Sequence, residues 1–89
     1  MFILRQIGPV TAQTEIELLS QLDISGDFEL RLLNPDLGAF YASSESGQGT
    51  DGLGAGSLPP LRLSDGDELY VFNNEPSTAK SITVLAWTV

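Results

Sequence analysis

The densest set of chemically capable side chains is Asp65-Gly66-Asp67-Glu68, three carboxylates within four residues. Its chemistry would be the binding of a hard cation through oxygen. A hand-type calcium loop places ligands at alternating positions over about twelve residues and closes on a glutamate. That spacing is missing, and Asp-Gly is a common tight-turn signal between strands, so the turn is the preferred reading. Nucleophilic chemistry fares no better. The chain has no histidine and no cysteine, which removes the usual zinc ligand, the usual general base near neutral pH, thiolate metal sites and disulfides. A serine–lysine pair would need Lys80, which follows a turn and is expected to be solvated. Paired carboxylates for glycoside hydrolysis are a matter of spatial separation, and each acid here has a turn or exposed-face explanation. No catalytic, cofactor-binding or metal residue is assigned, and the chain is expected not to be an enzyme.

Binding is better served than catalysis. Trp87 with Tyr41 or Tyr70 would make a stacking platform for a sugar, although a lone tryptophan in a small β domain also serves as core or interface filler. The segment Lys80 to Val89 carries Ile82, Val84, Ala86 and Thr88 on one face and Thr83, Leu85, Trp87 and Val89 on the other. A strand apolar on both sides is usually covered twice, so this one is either central in a sheet or finished by a second protomer. Leu53, Trp87, Val89, Phe40 and Tyr41 are the candidate partner-binding residues.

The elements that must position them follow from periodicity. Phe2 to Ile7 favours a strand, which Gly8-Pro9 should end at an edge or a domain boundary, because proline cannot donate to a ladder. From Thr14 to Ile24, Ile16, Leu18, Leu22 and Ile24 occupy even positions and Glu15, Glu17, Gln21 and Asp23 odd ones, a half-buried strand bent at Ser20. A helix is the competing reading, from the Thr14/Glu17 capping-box spacing and Ile16, Leu19 and Leu22. Ser25-Gly26-Asp27 then turns into the alternating Phe28 to Leu32, making a hairpin with the preceding strand.

Asn34-Pro35-Asp36 ends that strand, and Leu37 to Ser43 is extended. Residues 44–57 hold five of the nine glycines and one large apolar residue, Leu53. Such a loop cannot form core and is either a flexible tip or a segment ordered against a neighbouring chain. Leu61 to Leu63, Glu68 to Phe72 and Lys80 to Val89 complete the strands, with turns at 64–67 and 73–78. About seven short strands at regular spacing imply a small antiparallel β-sandwich, a jelly-roll-like fold or a small barrel, with the two-sheet sandwich preferred. Residues 1–89 read as one all-β domain.

Composition narrows the partners. With 12 acidic and 4 basic residues the chain carries −8 at pH 7, so phosphate backbones repel it and nucleic-acid binding is disfavoured. The start of the chain reads as neither signal peptide nor membrane span, and synthesis in the cytosol without a membrane partner is expected. A domain this small buries only about 60 to 65% of its unfolded surface, so contact with other subunits would add stability.

Leu61-Arg62-Leu63-Ser64-Asp65-Gly66-Asp67-Glu68-Leu69-Tyr70-Val71, followed after a polar gap by Ser81-Ile82-Thr83-Val84-Leu85-Ala86-Trp87-Thr88-Val89, resembles the closing half of small β-sandwich virion proteins of tailed bacteriophages. In those proteins a turn of leucine, two residues, Gly-Asp, one residue and leucine precedes a final valine-rich strand. The front segment Thr14 to Leu32 is similar to their early paired strands, while Gly47 to Gly56 lies outside the resemblance. The resemblance implies a virion component, a capsid decoration (cement) protein that binds the major capsid protein from outside and itself as a cyclic homo-oligomer, a trimer above all. Two other classes stay open: a carbohydrate- or receptor-binding module, and an acidic inhibitor that mimics DNA.

Overall fold

Where apolar and polar residues alternate, strands form. The computed structural model of the chain describes residues 1–33 and 37–89. Among them eight strands run Phe2–Val10 (β1), Glu15–Glu17 (β2), Phe28–Leu33 (β3), Phe40–Ser43 (β4), Leu53–Gly54 (β5), Leu61–Leu63 (β6), Tyr70–Asn73 (β7) and Lys80–Thr88 (β8). They make two four-stranded sheets, a first in the order β1-β8-β3-β6 and a second in the order β2-β7-β4-β5, with every pairing antiparallel. The expected all-β architecture of two sheets holds, with eight strands in place of seven. β8 is central in its sheet, between β1 and β3.

The core lies between the sheets. Val10, Leu30, Ile82, Val84 and Ala86 from the first sheet pack in one cluster with Phe40, Ala42 and Val71 from the second, joined by Leu18 and Leu22 from the connections. Period-two alternation explains these positions: each inward residue is flanked by outward ones, as in β8, where buried and half-buried residues alternate from Ser81 to Trp87. One buried polar side chain ties the two layers together. Asn73 is fully buried, and its amide donates to the Val10 carbonyl at 2.9 Å and the Thr78 carbonyl at 3.0 Å while its Oδ1 accepts from the Glu75 N–H. Val10 belongs to the first sheet and Asn73 to the second, so this side chain hydrogen-bonds one layer to the other.

Several expectations need correction. β1 does not stop at Gly8-Pro9 but runs to Val10, with a register shift between Ile7 and Val10 and a cis Gly8–Pro9 peptide. β1 lies at the sheet edge, where a bulge accepts proline because the missing N–H has no ladder partner to lose. The hairpin from Thr14 to Leu32 does not form: β2 pairs with β7 in the second sheet, while β3 pairs with β8 and β6 in the first. Within 14–24 only Glu15–Glu17 is strand, and a single 3-10 turn, Leu19–Gln21, follows at the expected bend. Glu17 explains the bend, since its carboxylate accepts the N–H groups of Leu19 and Ser20 at 3.0 and 2.7 Å and that of Leu69 at 2.9 Å. The capping-box partner Thr14 instead donates its hydroxyl to the Thr11 carbonyl.

The glycine-rich segment also departs from expectation. It folds back on the domain through β5 and two 3-10 turns, Gly49–Asp51 and Ala55–Ser57, and Ala55 is buried in the core. Gly52 makes this possible, because a Cβ there would lie 2.6 Å from the Ala42 carbonyl oxygen. The extended segment expected over 37–43 splits into a 3-10 turn, Leu37–Ala39, and β4. The expected turn Asn34-Pro35-Asp36 lies outside the described residues.

Candidate functional site

Antiparallel register decides which outward side chains become neighbours, since residues directly opposite share a face. On the outer face of the first sheet one row is Phe2, Trp87, Glu29 and Arg62, and the next is Leu4, Leu85 and Arg31. Phe2 is 69% exposed and Leu4 62% exposed, while Leu85 and Trp87 are half-buried. Four large apolar side chains thus adjoin on an outward surface, where full burial of an exposed one, Phe2 or Leu4, would return up to about 1.5 to 3 kcal/mol. They are bordered by Arg31 and Arg62, both exposed. β1 also presents an edge with no partner strand among the described residues. An edge that long and apolar is a template for contact with another chain.

The second sheet carries different chemistry outside. One row is Glu15, Phe72, Tyr41 and Gly54, and the next is Glu17, Tyr70 and Ser43. Tyr41, Tyr70 and Phe72 are half-buried. The Tyr70 hydroxyl donates to Glu68 Oε2 at 2.6 Å. That hydrogen bond, followed by desolvation and the negative charges of Glu68, Glu17 and Glu15, pushes its pKa up to about 12. Glu15 is held below the usual carboxylate range by hydrogen bonds from the Ser46 hydroxyl and the Gly47 N–H.

Two concavities flank these faces. Where β5 and β6 end their sheets, a groove of about 210 Å³ opens between the layers, lined chiefly by Ala42, Leu53, Leu58, Leu61, Leu63 and Leu69. A second hollow of about 220 Å³ lies beside the turn at 64–67 and includes Glu17, Asp65 and Asp67. These carboxylates already accept backbone N–H groups, Asp65 from Gly26 and Asp67 from Ser64. Among the described residues no three acidic side chains converge as an ion site would require.

No protein-family model, curated protein or solved structure matches the chain. The site is therefore read from its geometry alone.

Of the partner-binding candidates, Trp87 lies on the first sheet's outer face, and Val89, just past β8, is 54% exposed. Tyr41 lies on the second sheet's outer face, and Leu53 is 66% exposed on the rim of the groove. Phe40 is a correction: at 1% exposure it is core and has no surface to offer a partner. Its alternation places it on the same side as Ala42, facing the other sheet. Trp87 and the two tyrosines lie on different sheets, so the three do not form one stacking platform. Phe2 and Leu4, the most exposed members of the first face, were missed as candidates. Their signal was the alternation Phe2, Leu4, Gln6 against Ile3, Arg5, Ile7, which assigns no face until the register with β8 is known.

Proposed function

We propose that this chain is a non-enzymatic assembly protein that works by contact with other protein surfaces, and more specifically a capsid decoration (cement) protein of a tailed bacteriophage. The observation that carries the reading is the outward apolar group Phe2, Leu4, Leu85 and Trp87 on a sheet with an unpaired edge strand. Grouped apolar side chains on an exterior mark a contact surface, where isolated ones would not. The excess of negative charge suits a subunit that sits outside a shell and is not drawn to packaged DNA. The strand orders β1-β8-β3-β6 and β2-β7-β4-β5 correspond, in this reading, to a jelly roll of two Greek keys, an architecture used by viral capsid and lectin domains.

The partners are the major capsid protein and further copies of the chain, arranged as a cyclic oligomer in the virion. Co-sedimentation with assembled capsids tests this. The unaltered chain should pellet with capsids, and a folded Leu4→Glu variant should stay in the supernatant. Failure of both to pellet, or equal pelleting of both, contradicts the reading.

A second reading has its own observation. Tyr41, Phe72 and Tyr70 adjoin on the second sheet beside Glu15 and Glu17, an aromatic surface edged by hydrogen-bond acceptors that suits a carbohydrate. Glycan-array binding that a Tyr41→Ala variant loses would favour it over the assembly role.

A further inference from the structure

Charge in this molecule is sorted by layer. The strands of the first sheet hold all four basic residues, Arg5, Arg31, Arg62 and Lys80, and only one of the twelve acidic ones, Glu29. The strands of the second sheet hold Glu15 and Glu17 and no basic residue. Not every cation is available outside: Arg5 donates to the Gln21 carbonyl at 2.9 Å and Lys80 lies 3.8 Å from Glu75. Arg31 and Arg62 do stand on the outer face, beside Leu85 and Glu29 respectively.

We infer that the outer face of the first sheet docks on the outer face of the second sheet of another copy, a head-to-tail contact between copies of this chain. Apolar side chains beside two arginines and one glutamate would meet aromatic side chains beside two glutamates. First face on first face would instead oppose two surfaces of the same net sign, since Arg31 and Arg62 outnumber Glu29 on each, and like charges facing each other are disfavoured. A standard interface takes about 800 Å² from each partner, about a sixth of the 4947 Å² this molecule exposes.

The contact is heterologous, so each added copy leaves one face of each kind free. Assembly either closes into a ring or continues as an open row. The two faces point away from each other, so closure requires each copy to turn relative to the last. This inference rests on the assembly reading above and assigns the faces that join.

Two single variants test it by sedimentation velocity. Leu4→Glu removes the first face and Tyr41→Lys the second, each leaving the other face intact. The unaltered chain is expected to associate with rising concentration, and each variant alone to self-associate about tenfold or more weakly. An equimolar mixture of the two should form a one-to-one dimer and nothing larger. If Tyr41→Lys self-associates like the unaltered chain while Leu4→Glu does not, the first face pairs with itself and the inference is overturned, with the assembly reading intact. An unaltered chain that stays monomeric, or a mixture that forms no dimer, also overturns it. Should either variant lose its β circular-dichroism signal, Phe2→Glu and Phe72→Lys address the same two faces.

Discussion

The two sheets are alike inside and differ in the charge they carry outside. Their inner faces contribute the same kind of residue to one cluster, with Leu30, Ile82 and Val84 opposing Phe40, Ala42 and Val71. Their outer faces differ in charge: the apolar residues of one stand beside Arg31 and Arg62 with a single glutamate, Glu29, and the aromatic residues of the other beside Glu15 and Glu17 with no basic residue. Inner faces answer to each other and must match in volume and polarity. Outer faces answer only to solvent or to a partner, so a systematic difference between them is where function is to be sought.

The largest effects should come from the matched side of this comparison. Leu30→Ala in the first sheet should cost about 2 to 5 kcal/mol and Phe40→Ala in the second about 3 to 5 kcal/mol, as transfer and cavity losses combine. Denaturant unfolding measures both. A cost under about 1 kcal/mol at either site would mean that its sheet does not pack as described. Next in size is the link between layers. Asn73→Leu strips the Val10 and Thr78 carbonyls and the Glu75 N–H of their partner, and should cost about 1 to 3 kcal/mol, read in the same way. A neutral Asn73→Leu would remove the claim that hydrogen bonding joins the sheets at this point.

On the unmatched side, stability should barely respond. Leu4 is 62% exposed, so Leu4→Glu should change unfolding free energy by no more than about 0.5 kcal/mol. A larger loss would show Leu4 packed within its own chain and unavailable to another. The smallest effect is a titration confined to the second face. In a Tyr41→Phe variant, tyrosinate absorbance reports Tyr70 alone, and its midpoint should lie near 12, falling when Glu68→Gln is added. Because the folded value stands above the ordinary 10.0, the hydroxyl's contribution to stability is intact below about pH 10 and is lost as pH rises through about 12. A midpoint near 10.0 would dissolve the Tyr70–Glu68 pair.

Much of the inner design was legible in the sequence. Phe28 to Leu32, Leu69 to Phe72 and Ile82 to Trp87 alternate cleanly, and the burial follows that alternation. The strand pairing was not legible, because alternation assigns a residue to a face without naming the strand beside it. The false hairpin from Thr14 to Leu32 is the result. At Thr14 to Ile24 the two periodicities competed because Glu17 turns the chain after three residues of strand. The order in residues 44–57 depends on Gly52 pressing against the Ala42 backbone, a close approach that composition cannot reveal. Trp87 and Val89 stood out through a strand apolar on both sides, whereas Phe2 and Leu4 became neighbours of Trp87 and Leu85 only through the register of β1 on β8.

Trp87 is the chain's single tryptophan and lies within the first sheet's outer face, so its fluorescence tests the central claim most directly. If that face is a protein-contact surface, the emission maximum should move to shorter wavelength as concentration rises, and the shift should vanish in Leu4→Glu. An emission maximum that stays constant across the whole accessible concentration range, and on addition of assembled capsids, would contradict it.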